Sequence, residues 1–227
     1  MTTHSTSLKI QIWDSFVRGY HWLQVAILGG LWYTGEQGLM EWHFSLAYLL
    51  MTLLLSRLIW GFIGSDTAKF SYFIKSPATV IRYLKNPEQV KTIGHNPIGS
   101  YMVALFFILL TLQITTGLFA NDDILSEGPL AQYISYDLSG QLTGIHHQIF
   151  NVLQAAVVIH ILAIFIYRAV KKENLTTPMI TGKKEFTESM TMAKPKIKNG
   201  IMGWVIFLMI GSIVYFAWGE EVISYLF

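Results

Sequence analysis

The chain contains no cysteine. That excludes disulfides, thiolate metal sites, iron–sulfur clusters and the CxxCH attachment of a c-type haem. Charge is also scarce: only 13% of residues are Asp, Glu, Lys or Arg, against roughly 25% in soluble domains. The net charge of +2 comes with no basic patch interleaved with aromatics, so no nucleic-acid partner is expected. The lead from Met1 to Ile12 is polar and lacks an apolar core, so no cleaved signal peptide is expected; His4 within it is expected to be disordered. Internal repeats, a phosphate-binding glycine loop and any nucleotide motif are missing too. Any redox centre must be held by ligands other than thiolates.

What the chain has in abundance is apolar length. Hydrophobic residues make up 52% of it. Five stretches, at about 16–35, 40–63, 98–120, 144–168 and 200–219, approach the about 20 residues that a bilayer requires. The third, Ile98 to Ala120, carries no charge. A short turn with Gly35 and Gly38 joins the first two. Trp13, Trp22, Trp32, Tyr33, Trp42, Trp60, Tyr167, Trp204 and Trp218 fall near segment ends, as an aromatic belt does. The expectation is an all-α integral membrane bundle, with a short amphipathic helix around Pro77 to Leu84 in the loop 64–97.

Basic residues orient the bundle. All 16 Lys and Arg fall in three regions. Lys9 and Arg18 flank the first span. Arg57, Lys69, Lys75, Arg82, Lys85 and Lys91 follow the second. Arg168, Lys171, Lys172, Lys183, Lys184, Lys194, Lys196 and Lys198 follow the fourth. The alternate regions hold Glu36 and Glu41, then Asp122, Asp123, Glu127 and Asp137, then Glu220 and Glu221. The positive-inside rule therefore predicts a cytoplasmic N-terminus and a periplasmic C-terminus. Dropping any span would mix the two sets.

Four histidines fall inside these spans: His21, His43, His146 and His160. An ionisable side chain at membrane depth is costly and is read first as functional. His21 lies near the inner end of the first span and His43 near the outer end of the second. The fourth span runs inward, so His146 is outer and His160 inner. Fourteen residues between them turn the helix by about 1400°, some 40° short of four turns, over about 21 Å of rise. Both imidazoles leave nearly one face at two depths. The pattern predicts two cofactor levels, His43 with His146 outside and His21 with His160 inside. Imidazole is a normal haem ligand, and bundle cores are normal cofactor sites. The bland alternative for each histidine is an interhelical hydrogen bond. A multi-histidine metal transporter is the rival of another class, but it would favour carboxylates deep within the spans, and none is there beyond Glu41 at the edge of the second.

The surrounding motifs resemble a family. WDSFVRGYHW runs from Trp13 to Trp22, and HFSLAYLLMTLLLSRLIWG from His43 to Gly61. GHNPIG (Gly94 to Gly99) precedes the third span, and ENLTTPMITGKK (Glu173 to Lys184) follows the fourth. In order and spacing they resemble the bacterial cytochrome b561 and nickel–iron hydrogenase b-type cytochrome family, over residues from about 10 to 185. The resemblance implies a four-helix core at 1–185 that binds two non-covalent b-type haems. A basic linker and a fifth transmembrane helix occupy 186–227. The same four histidines would be the iron ligands. His147 departs from the pattern, which has an acidic residue there.

Weaker candidates complete the set. Arg18 and Arg57 could pair with inner-haem propionates or simply snorkel to lipid phosphate. His95 and Asn96 could line a quinone pocket or cap the third span. The function expected is electron transfer in a bacterial inner membrane, between the quinone pool and a periplasmic c-type cytochrome, a hydrogenase or another dehydrogenase. Rivals are a self-contained quinone-reducing oxidoreductase and a non-redox anchor or metal transporter. Partners expected are lipid, a quinone or quinol, a redox protein and a second copy of the chain in a homodimer.

Overall fold

The computed structural model describes residues 7–90, 92–124, 126–187, 193–224 and 226. His4 and Lys91 lie outside them. The order is β1 (Ser7–Gln11), α1 (Ser15–Glu36), α2 (Met40–Ile63), α3 (Phe70–Phe73), α4 (Pro77–Lys85), α5 (Pro97–Leu118), α6 (Tyr136–Ala169), α7 (Thr176–Thr181), β2 (Lys183–Thr187), α8 (Ile201–Val214) and α9 (Glu220–Ser224). A π-helical turn, Tyr215–Gly219, joins α8 to α9.

Among the described residues, four helical segments are long and apolar enough to cross a membrane: Met40–Ile63, Pro97–Leu118, Tyr136–Ala169 and Ile201–Gly219. The helix α1 has 22 residues but is less apolar, with Arg18, His21 and Gln24 on it. Large apolar side chains stand open on these helices, among them Phe62 at 72%, Phe165 at 65% and Leu208 at 66% exposure. Apolar exposure on that scale suits hydrocarbon rather than water. The chain is an integral membrane protein.

The chain divides into two compact units, and each long helix gives one end to each. The first unit holds residues 1–22, 57–102 and 162–205. Its centre is Asp14, which is 1% exposed. One carboxylate oxygen accepts the Val17 N–H at 2.8 Å, an N-cap for α1. The other accepts the Trp60 indole N–H at 3.0 Å and the Ser65 hydroxyl at 2.5 Å. Three segments are thereby tied to one carboxylate. Trp60, at 1% exposed, and Phe16, at 0%, pack edge to face beside it. Trp204 of α8 packs edge to face on Phe16 at 5.2 Å.

The same unit explains the TPMITGKK stretch. Asn174 accepts the Thr176 and Thr177 N–H groups through its side chain and so starts α7. Gly182 stops it at φ +80°, the left-handed position that glycine takes freely. Arg18 donates to the Ile180 carbonyl at 2.6 Å and Trp22 to that of Met179 at 3.3 Å, so two unused carbonyls of the last turn are satisfied. The chain then pairs antiparallel with β1, Lys9 opposite Glu185. This ribbon is absent from the all-α expectation. Its strands are far apart in sequence; Ser7–Gln11 alternates polar and apolar but over only five residues, and Lys183–Thr187 does not alternate. The short helix expected around Pro77 is present as α4. Ser76 caps it, and Pro77 occupies its first turn.

The second unit holds residues 23–56, 103–161 and 206–227. Here α1 ends in a Schellman cap: Leu39 N–H bonds to the Thr34 carbonyl at 2.9 Å and Gly38 N–H to that of Gly35 at 3.3 Å. Gly38 sits at φ +65°, as the motif requires. The C-terminal segment packs here through Ile210, Val214 and Trp218 against Tyr48 and Met51 of α2 and Ile114 of α5. The helix α6 begins at Tyr136, eight residues before the apolar stretch read from the sequence. Its first two turns are polar and are fixed by hydrogen bonds rather than by lipid. Asn121 donates to Ser139, whose hydroxyl reaches the Phe119 carbonyl, and Thr143 closes on both backbone groups of Asn121.

Candidate metal centre at His43 and His146

The second unit brings His43 of α2 and His146 of α6 opposite each other. Their ring centroids are 6.5 Å apart, with the planes at 72°. Two imidazoles on opposite sides of one metal, each nitrogen about 2 Å from it, have centroids about 6 Å apart. The observed separation fits such a pair.

The other ring nitrogens are held in a matching way. His43 Nδ1 lies 3.1 Å from the Leu31 carbonyl and 3.3 Å from the Thr34 hydroxyl. His146 Nδ1 lies 2.9 Å from the Gln113 carbonyl and 3.2 Å from the Thr116 hydroxyl. A carbonyl only accepts, so each Nδ1 carries the proton. Each Nε2 then keeps a lone pair, the form in which neutral imidazole binds metal. The side-chain amide of Gln113 reaches His146 Nε2 at 3.0 Å, and it must turn aside before that nitrogen can coordinate. Gln113 Oε1 is buried with no hydrogen-bond partner among the described residues. A bis-imidazole iron group therefore fits the donor set. The α1 turn beside the site, with Trp32, Tyr33 and Glu36, lines an open cleft of about 580 Å³ with Gln154.

His147, beside His146, is exposed, with its ring 6.2 Å away and turned 82°. Among the described residues no three His, Cys, Asp or Glu side chains converge.

The remaining candidates are placed as follows. His21 lies in the first unit, its ring 5.0 Å from Trp22. His160 lies in the second, edge-on to Phe106 at 5.7 Å. Arg57 is 3% exposed. Its guanidinium donates to the Ala68 carbonyl at 3.1 Å and sits within 6 Å of the Tyr20 and Phe70 rings. A charge so enclosed does not snorkel. Arg18 holds the end of α7. His95 stands between Trp13, at 4.6 Å, and Phe73, at 5.1 Å. Asn96 accepts the Gly99 N–H at 2.7 Å, capping α5, and donates to the Tyr167 hydroxyl at 2.8 Å. Sequence reasoning passed over Asp14, Thr34, Gln113 and Thr116. Asp14 had a legible signal, an Asp directly ahead of a helix. The threonines had none beyond a shared Thr-Gly step.

The family model described as prokaryotic cytochrome b561 matches residues 12–182, a range that includes all four membrane histidines. A curated protein described as a probable Ni/Fe-hydrogenase B-type cytochrome subunit, from Rhodobacter capsulatus, is 22% identical over 222 residues. The match covers 79% of this chain and 83% of that protein. No solved structure matches the chain.

Proposed function

Because the chain belongs to the prokaryotic cytochrome b561 family, and is thus a membrane b-type cytochrome of electron transport, we propose a sharper role: a di-haem conduit between the quinone pool and a redox partner at the periplasmic face. When bound, haem supplies a one-electron ferric/ferrous couple. The chain's own residues determine what that couple can do. His43 and His146 would hold such an iron between them and leave it no open position, which would favour electron transfer over oxygen chemistry.

The observation that carries this reading is the opposed His43/His146 pair, with both Nδ1 atoms held by backbone carbonyls. The second haem, on His21 and His160, rests on the fourteen-residue spacing along α6 and on the matched depths read from sequence. Arg57, a buried cation on α2, would offset propionate charge at that level, and Arg18 is the second candidate for that role. The aromatic setting of His95, with Asn96 next to it, supports a quinone headgroup site on the same side. Five spans, with α1 counted and the C-terminal helix as the fifth, agree with the segregation of Lys and Arg. That segregation supports a cytoplasmic N-terminus, with the protein in a bacterial inner membrane. The acidic loop 121–135 suits a basic periplasmic partner. The relative from Rhodobacter capsulatus supports a hydrogenase or a similar oxidoreductase in that place.

The direct test is stoichiometry. Pyridine haemochrome measured against protein mass is expected to give close to two haems per chain, all extractable by acid acetone. One haem or none contradicts the proposal.

A further inference from the structure

The two histidines of the His43/His146 pair are seated in copies of one local device. On α1, a carbonyl (Leu31) is followed three residues later by Thr34, then by Gly35, and the helix ends at Glu36. On α5, the carbonyl of Gln113 is followed by Thr116, then by Gly117, and the helix ends at Leu118. Each threonine hydroxyl donates back to the carbonyl four residues earlier, Gly30 or Leu112, at 2.8 Å in both cases. A hydroxyl has one proton. With that proton committed, its lone pairs can only accept, and one faces the histidine Nδ1. The glycine that follows lets the ring lie against the helix. A Cβ at Gly35 would stand 3.4 Å from His43 Cε1 and Nδ1, and one at Gly117 would stand 3.0 Å from His146 Cε1 and 3.3 Å from Nδ1. Neither seat belongs to the helix that bears its histidine.

We propose that Thr34–Gly35 and Thr116–Gly117 are paired sockets that fix the proton, height and plane of the two imidazoles, making these four the positioning residues of that haem. The inference rests on the reading of His43 and His146 as axial ligands. Each threonine keeps the proton on Nδ1 and strengthens the pull on it. A ligand whose Nδ1–H is more strongly hydrogen-bonded donates more to iron and favours the ferric state. Each glycine sets how near the ring lies. The two seats hold the ring planes 72° apart, and crossed ligand planes give a ferric low-spin resonance of large anisotropy.

The test uses purified full-length protein in detergent, by redox titration with low-temperature spectra and by electron paramagnetic resonance. Thr34→Val and Thr116→Val are isosteric and remove the acceptor. Each is expected to shift the ferric/ferrous ratio of one haem about threefold to tenfold toward ferrous. That is an upward move of about 30–60 mV at 59 mV per decade, with the other haem unmoved. Thr34→Ser and Thr116→Ser restore the hydroxyl and are expected to restore the potential. The glycines should differ. Gly117→Ala puts a methyl inside ordinary contact distance of the ring, so it should displace His146 and alter or deplete that component. Gly35→Ala meets its ring at 3.4 Å, the near edge of ordinary contact, and should disturb its component measurably less. Alanine favours a helix more than glycine does, so a loss of helix propensity does not explain a Gly117→Ala defect.

Valine variants that leave potential and resonance at wild-type values overturn the sockets, as does failure of serine to rescue. Equal shifts in both haems, or Gly35→Ala proving the more damaging, overturn them as well. His43→Ala and His146→Ala separate the two levels. If those variants lose a component while the socket variants change nothing, the sockets alone are wrong. If they retain both components, the ligand assignment falls and the sockets with it.

Discussion

Replacing Asp14 should damage the fold more than its distance from the histidines suggests. Asp14→Ala removes the α1 cap, which costs about 1 kcal/mol. It also takes the acceptor from the Trp60 indole and from the Ser65 hydroxyl, which are 1% and 0% exposed. A buried donor left without an acceptor costs about 1–3 kcal/mol. The Ser65 hydroxyl can rotate toward another acceptor, so its share falls at the low end. The sum is about 3–5 kcal/mol. Asp14→Asn keeps a single oxygen for the cap and turns its amide nitrogen toward both the Trp60 and the Ser65 donors; the Ser65 hydroxyl can rotate to accept, so about 1–3 kcal/mol is expected. Denaturant unfolding in detergent, followed by far-ultraviolet circular dichroism, measures both. An alanine variant within about 0.5 kcal/mol of wild type, the scale of an ordinary surface change, would refute the reasoning. So would an asparagine variant as unstable as the alanine one.

Three other outcomes follow from the same structure. Neutralising the enclosed cation in Arg57→Gln should lower the potential of the His21/His160 haem more than that of the other, because positive charge disfavours the ferric state; redox titration reads the asymmetry. A reporter fused after Phe227 should be active only when it is a periplasmic enzyme, and a cytoplasmic reporter active there would show the number of spans to be even. Asp66 accepts the Lys196 N–H at 2.9 Å and bonds Lys69, and these hold its carboxyl below the usual range, the Lys196 bond first. A depressed folded value means that the contact is intact above the ordinary carboxylate pKa of about 3.9 and is lost as pH falls through the lower folded one. Hydrogen-exchange protection of the Lys196 amide, corrected for intrinsic rate, should follow that course.

Much of the bundle was legible because lipid demands long apolar runs, and those runs are local. The expected limits of α2 match the observed Met40–Ile63, and those of α1 and α5 fall within about two residues. The polar opening of α6 was hidden because Asn121, Ser139 and Thr143 stabilise it through long-range hydrogen bonds that leave no hydropathy signal. The pairing of Ser7–Gln11 with Lys183–Thr187 is hidden for the same reason: it is a contact between segments that share no local pattern. At the candidate site, histidine spacing along one helix told which rings share a face, since a helix turns at a fixed rate. It also favoured His146 over His147, and the structure turns His146 toward His43 and leaves His147 exposed. The seats of those rings lie on other helices, at Thr34 and Thr116, where a Thr-Gly step is too common to read. Arg57 shows a further limit. Its position near a membrane edge suggested a lipid contact as readily as a cofactor contact, and only packing against Tyr20 and Phe70 reveals an enclosed charge.

The central claim is that two histidine pairs serve two separate haems, and alanine variants of the four ligands test it most directly. Low-temperature spectra during redox titration should lose one and the same component in His43→Ala and His146→Ala. The other component should disappear in His21→Ala and His160→Ala, and His147→Ala should keep both. Loss of a single shared component in His21→Ala and His43→Ala, or loss of a haem in His147→Ala but not in His146→Ala, would contradict the account.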